Sequence, residues 1–288
     1  MKILLIFIDG FGIGNRQNNK NPFLKANIPC LNKIWSGNLG RYIKTNVKMK
    51  VTGLPQSATG QTALLTGKNA AKAMGRHKSG FPGPTLNKII AEHNIYKQLR
   101  KYNLKSTFAN AYTKSYVKKV HKNKSKASVT TQCILNSENN FRFLKDIKNN
   151  NAIYQDFTNQ ILINKGKNIP EFSPEKAANI LSDISLNYDF TLYEYFQTDK
   201  AGHSQDMDFA IEILEQIDRF LKQLINNLKN KTTIIITSDH GNIEDLSIKT
   251  HTKNDVPTII IGDHSVNFEN NIKNITDITP AIISELNY

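Results

Sequence analysis

Cysteine is almost missing from this chain. Cys30 and Cys133 are the only two, which excludes a disulfide framework and a cysteine-ligated zinc centre. Long apolar runs are missing as well: no stretch approaches the roughly 20 residues that cross a bilayer. The opening KILLIFI meets Asp9 too early to be the core of a signal peptide. The expected location is therefore the cytoplasm, with no membrane partner. Arginine is confined to Arg16, Arg41, Arg76, Arg100, Arg142 and Arg219, so the net charge of +14 is carried by lysine. A dinucleotide-binding fingerprint is also absent, because Asn15 stands where G-x-G-x-x-G would need its last glycine.

What is there is a chain of 288 residues, 39% of them hydrophobic, long enough to bury a core. One main domain with a modest insertion is expected. A positive field concentrates anionic ligands, either phosphorylated metabolites or nucleic acid, although a solvated lysine surface gives the same composition. The one dense cluster, Lys114 to Lys126, reads equally well as a mobile loop. No nucleic-acid module accompanies it, so nucleic acid is the disfavoured partner.

Apolar runs at Lys2–Ile8, Asp189–Phe196, Thr232–Ile236 and Val256–Ile261 read as buried strands, with a further strand at Ser106–Ala109. Helices are expected at Ile95–Tyr102, after the Ser173-Pro174-Glu175 start signal, along Met207–Leu228 and at Asp277–Leu286. Strands alternating with helices imply an α/β fold, a mainly parallel sheet with helices on both faces. The pattern weakens after residue 112, which suggests a core of residues 1–112 and 166–288 with a small insertion at 113–165 near the site.

Several strands end on residues that bear chemistry: Asp9, Asp199 with His203, and Asp239 with His240, followed by His251. Parallel sheets place ligands at such ends, and carboxylate with imidazole suits a divalent cation. Each residue alone has an ordinary explanation as a turn or a cap. In Asp199-x-x-Gly202-His203 the glycine is expected to permit a loop that turns both side chains toward one ion. Ser57 opens a helical stretch, either as its N-cap or as a hydroxyl beside a phosphate site, and Thr59 is a second hydroxyl nearby. Arg76, His77 and Lys78 share a loop rich in glycine and proline, where ligand contacts are common; an exposed turn fits equally.

The segments IFIDGFG, QSATGQ, TDKAGH, SDHGN and HTKNDVP, in this order, resemble the alkaline phosphatase superfamily of two-metal enzymes, most of all the core of the cofactor-independent phosphoglycerate mutases and phosphopentomutases. The resemblance implies an alkaline-phosphatase-like fold, two divalent ions (manganese ahead of zinc) and a small phosphorylated substrate. It implies that Asp9, Ser57, Asp239 and His240 hold one ion and that Asp199, His203 and His251 hold the other. Ser57 takes the position of the nucleophile, and Thr59 falls outside that role. Lys114 lies one position out of register with a lysine of the mutase site and is a candidate substrate contact.

The chain departs from the family pattern in three places. Gln61 replaces a histidine, Ala58 replaces an acid, and the insertion carries only Arg142 where the mutases have an arginine-rich domain. The expected activity is therefore metal-dependent hydrolysis or transfer of a phosphoryl group through a phosphoserine at Ser57, with hydrolysis favoured. Alternatives within the superfamily are a phosphosugar or phosphoglycerate mutase and a phosphodiesterase or sulfatase. The alternative of a different class is a non-catalytic, nucleic-acid-binding protein that has kept an enzyme fold.

Overall fold

Every residue of Ile3–Ile8 is apolar and buried, as in a strand covered on both faces. This strand, β1, runs through the middle of the molecule. The computed structural model describes residues 1–262 and 265–287, without the side chains of 265–267. The other strands are β2 (Arg41–Thr45), β3 (Ser106–Phe108), β4 (Ala111–Tyr112), β5 (Arg142–Phe143), β6 (Phe190–Tyr195), β7 (Thr233–Thr237) and β8 (Val256–Ile261). Six of them form one sheet in the order β2-β8-β7-β1-β6-β3, while β4 and β5 pair separately.

Strands β3, β6, β1 and β7 run parallel. The expected mainly parallel α/β sheet is what the chain forms, but one edge reverses: β8 is antiparallel to β7, and β2 is antiparallel to β8. The sequence reading missed β2, whose RYIKT is only partly buried at the sheet edge and so lacks an apolar run. Among the described residues no helix is long and apolar enough to cross a membrane.

Alternate side chains of a strand point to opposite faces, which splits the core in two. Leu4, Ile6 and Ile8 join Tyr193, Tyr195, Ile234 and Ile236 on one face, covered by the helices Pro174–Ser185 and Met207–Leu228. Ile3, Leu5 and Phe7 join Phe190, Leu192 and Ile235 on the other, under the helices Ser57–Thr66, Pro84–His93 and Ile278–Leu286. Segment 113–165 contributes to both clusters: Val129, Cys133 and Ile134 lie in one, and Ile147, Ile153, Phe157 and Leu162 in the other. Arg142 is part of this framework. Its guanidinium donates to Thr107 Oγ1 and to the carbonyls of Phe108 (2.8 Å) and Asn151 (2.8 Å), and Tyr188 lies beneath it.

Candidate active site

Strands β6, β1 and β7 end side by side, and each delivers chemistry-bearing residues to one rim. Asp9 follows directly on β1, and Asp239 and His240 lie just beyond the end of β7. β6 leads through Phe196 into the helix Gln197–Ser204, which carries Asp199 and His203. The expected loop is thus a helix, and the spacing of four residues puts both side chains on one face. Gly202 serves close packing: a Cβ there would meet Asn242 Oδ1 at 2.4 Å.

Ser57 begins the helix Ser57–Thr66 but does not cap it. Gln56 holds the cap position, and no side chain bonds to the helix end. The Ser57 hydroxyl lies 3.0 Å from His240 Nε2. Gly60 lets this helix approach so closely that a Cβ would meet the Asp239 carbonyl oxygen at 2.7 Å. Thr59 faces away from the cluster, bonding to the Gln56 carbonyl and accepting from the Lys78 N–H.

Asp9 and Asp239 are joined through Gln61, whose Nε2 lies 3.2 Å from Oδ2 of each. The remaining oxygen of each, Oδ1, is buried without a hydrogen-bond partner. His240 Nε2 stands 3.3 Å from Asp9 Oδ1 and 3.5 Å from Asp239 Oδ2. Two dry carboxylates side by side, each with an orphaned oxygen, are strongly destabilising unless a cation joins them. Gln61 thus occupies one oxygen of each carboxylate and leaves Oδ1 open to a ligand.

The histidines carry the same message. His251 Nδ1 lies 3.0 Å from the Pro55 carbonyl, and His203 Nδ1 lies 2.7 Å from that of Lys249. A carbonyl only accepts, so each Nδ1 carries a proton, and a neutral ring then leaves its Nε2 with a lone pair. Those lone pairs face Asp199, with His251 Nε2 at 3.5 Å from Oδ1 and His203 Nε2 at 3.3 Å from Oδ2. Lone pairs facing carboxylate oxygens repel, and a divalent cation between them turns repulsion into coordination. A carbonyl holding the other ring N–H is the usual way in which a metal-binding histidine is oriented. The donor set therefore fits divalent ions.

Asp9, Asp239 and His240 each offer a ligand atom within 4.8 Å of the others, and so do Asp199, His240 and His251. His240 is common to both groups, whereas the resemblance assigned it to one. His203 is in neither and approaches only the second oxygen of Asp199. The rings of His240 and His251 stack at 3.6 Å between centroids.

Burial, then the charge of Asp239, holds the Asp9 carboxyl well above the usual carboxylate range. Burial and Asp199 push Asp239 up to about 7. Burial pushes His240 and His251 down to about 4, so both imidazoles are neutral and free to coordinate. For Asp239 the sign is definite: a carboxyl raised from about 3.9 in the unfolded chain contributes stability at low pH that is lost as pH rises through about 7. In metal-free protein, Asp239→Asn is expected to raise the urea midpoint at pH 8, with a gain that shrinks by pH 5. A midpoint difference that does not vary with pH would contradict this.

The predicted substrate contacts are not drawn into the cluster. Arg76 is exposed, the His77 ring meets the Val51 carbonyl at 3.2 Å, and Lys78 reaches Thr59 only through its backbone. Lys114 opens the helix Lys114–Lys122 with its side chain exposed. Other residues escaped the sequence reading. Asn242 donates to Asp199 Oδ1 at 2.7 Å, and buried Glu244 accepts from the N–H groups of Gly12 and Asn242. Glu194 lies buried within β6; a lone acid inside the run FTLYEY was its only signal.

A profile described as the Metalloenzyme superfamily matches residues 1–288. The 2,3-bisphosphoglycerate-independent phosphoglycerate mutase of Mycoplasma genitalium is 31% identical over 128 residues, covering 41% of this chain and 25% of the relative. The protein of the same name from Ehrlichia canis is 33% identical over 130 residues, with the same coverage of 41% and 25%. The match thus spans 25% of the length of these relatives. Among solved structures, the PH0037 protein from Pyrococcus horikoshii superposes with a TM-score of 0.60 at 16% identity, over 99% of this chain and 96% of that one. The alkaline phosphatase of the Antarctic bacterium TAB5 gives 0.54 at 13% identity, over 100% and 99%. At these identities the likeness is one of fold.

Proposed function

The chain belongs to the Metalloenzyme superfamily, and on that footing we propose that it hydrolyses or transfers the phosphoryl group of a small phosphorylated molecule through a phosphoserine at Ser57. The observation that carries this reading is the Ser57 hydroxyl, 3.0 Å from His240 Nε2, at an uncapped helix N-terminus beside two metal-suited groups. Asp9, Asp239 and His240 would hold one ion, with Ser57 beside it; Asp199, His251 and His203 would hold the other. Oxygen and nitrogen donors without sulfur are compatible with manganese or zinc, and it is the resemblance to the mutases that favours manganese.

Two divalent cations in these positions supply Lewis acidity, which acidifies a hydroxyl and neutralises phosphoryl oxygens. Ser57 gives up its hydroxyl proton to solvent and forms the new bond to phosphorus as the bond to the departing alcohol breaks, and that alcohol takes a proton from solvent. The helix N-terminus behind Ser57 favours the negative phosphoryl group. Gln61 holds both carboxylates in place through the reaction. Water then cleaves the phosphoserine and regenerates the hydroxyl; if a second alcohol takes the place of water, the reaction is a transfer.

Hydrolysis is the favoured outcome, because the sole arginine of segment 113–165, Arg142, spends its donors on the framework and is not free to grip an intermediate. The names of the curated relatives favour transfer as the second reading. Acid-quenching the manganese-loaded enzyme during turnover of a phosphate monoester should trap phosphate on the peptide containing Ser57, as read by mass spectrometry. Adding alcohol acceptors then separates transfer from hydrolysis. Steady turnover without phosphoserine would reject the covalent route.

A further inference from the structure

Between β7 and β8 the chain forms neither helix nor strand from residue 238 to residue 255, yet this stretch carries His251 and the Lys249 carbonyl that orients His203. Sheet hydrogen bonds therefore do not fix these two groups. Glu244, fully buried within the same stretch, spans the gap. Its Oε2 accepts from the N–H groups of Asn242 (2.7 Å) and Gly12 (3.2 Å), and its Oε1 accepts from Thr252 Oγ1 and from Asn254 Nδ2 (3.0 Å). We infer that Glu244 is a positioning residue for the second ion, the one assigned above to Asp199, His203 and His251, and that it has little influence on the first. The inference rests on the two-ion site of the phosphoryl-transfer reading, and it makes the affinity of one half of that site depend on a residue hydrogen-bonded to none of the proposed ligands.

Three of the four bonds lead to that half of the site. Asn242, held through its N–H, donates from Nδ2 to Asp199 Oδ1 at 2.7 Å. Thr252 adjoins His251, and together with Asn254 it fastens to Glu244 the segment that also carries Lys249. Gly12 supplies the fourth bond and ties the assembly to the loop after β1. A Cβ at Gly12 or at Gly241 would overlap the Glu244 carboxylate, so these two glycines make room for it. The first ion's ligands have anchors of their own. The Asp9 N–H donates to the Tyr195 carbonyl at 2.9 Å, continuing the pairing of β1 with β6; Gln61 bridges Asp9 and Asp239; and Ser238 Oγ donates to the His240 carbonyl at 2.9 Å. The His251 segment keeps two other ties, from the Thr252 N–H to the Gly241 carbonyl (3.0 Å) and from His251 Nδ1 to Pro55 (3.0 Å). Losing Glu244 therefore loosens the second ligand set without releasing it. Groups that orient ligands from behind are worth about 10- to 100-fold in metal affinity, and here that effect falls on one ion of the two.

The test is a manganese titration of the metal-free protein, with free and bound ion read by electron paramagnetic resonance, so that no substrate enters. Wild type is expected to bind two ions per chain. Glu244→Ala, which removes all four acceptor bonds, should weaken the second ion by about 10-fold or more and leave the first within about 2-fold. Glu244→Gln can keep the four bonds once the Thr252 hydroxyl and the Asn254 amide turn to accept, and should recover most of the lost affinity. Thr252→Val removes one bond and should cost the second ion about 5-fold; it carries the test if Glu244→Ala does not fold. In a His251→Ala background, where the second ion is already lost, Glu244→Ala should leave affinity for the remaining ion unchanged. Equal weakening of both ions overturns the inference, and so does a Glu244→Gln variant as weak as Glu244→Ala. Wild type that binds only one ion removes the two-ion site and the inference with it. Two ions bound by wild type, with the second unaffected in both Glu244→Ala and Thr252→Val, removes the positioning role alone.

Discussion

Replacing Ser57 by alanine is expected to cut turnover of phosphate monoesters by about 10⁴-fold or more, since removing a covalent nucleophile costs losses of that order, and to leave no phosphate on the protein. The fold should survive. Ser57 is not the cap of its helix, its side chain is only partly buried, and the hydroxyl makes one side-chain hydrogen bond, to His240. Neighbouring hydroxyls do not substitute for it, because Thr59 and Thr62 both point back into their own helix, bonding to the Gln56 and Ala58 carbonyls. The comparison is made at saturating manganese, so that any loss of metal affinity is separated from loss of the nucleophile. Retention of more than about a tenth of wild-type turnover would mean that water attacks phosphorus directly.

Chelation is expected to abolish turnover entirely and to lower thermal stability, both restored by adding back the divalent ion. An ion that binds only the folded chain stabilises it by about 2.7 kcal/mol at one hundred times its dissociation constant. Without it, Asp9 and Asp239 confront each other in a dry site with Oδ1 of each unpaired. Metal ligands must be deprotonated, and the shifts identify which protons compete. His240 and His251, pushed down to about 4, are neutral through the neutral pH range and offer no competition there. Asp239, pushed up to about 7, does compete. Affinity is therefore expected to fall as pH drops through about 7, with the carboxylates releasing protons as the ion binds. Titration calorimetry in buffers of different ionisation enthalpy at pH 8 and pH 6 reads both quantities. Equal affinity at the two pH values would remove the carboxylates from the competition.

The parallel sheet was readable because burial on both faces demands unbroken apolar runs, and Ile3–Ile8 or Thr233–Thr237 has few other uses. β2 was not readable, since a partly buried edge strand puts no such demand on its residues. Asp199 and His203 could be seen to be close in the sequence, but their placement on a helix could not, because Gly202 invites a loop until Asn242 is seen packed against it. Arg142 was legible only as the single arginine of the expected insertion, and its use as a strut between Thr107, Phe108 and Asn151 was not.

By itself the sequence determined the class of fold and the chemical kinds of donor available, because apolar periodicity and the placement of Asp and His at strand ends are local properties of the chain. Only the tertiary structure decided which oxygen of Asp9 and Asp239 stays open, which imidazole nitrogen faces Asp199, and that Glu244 ties the His251 segment to the loops after β1 and β7. Those outcomes depend on hydrogen-bond partners supplied by residues far away in the chain, such as Gln61, Pro55, Lys249 and Gly12. Their proximity arises from packing three-dimensional shapes together, and no linear pattern records it.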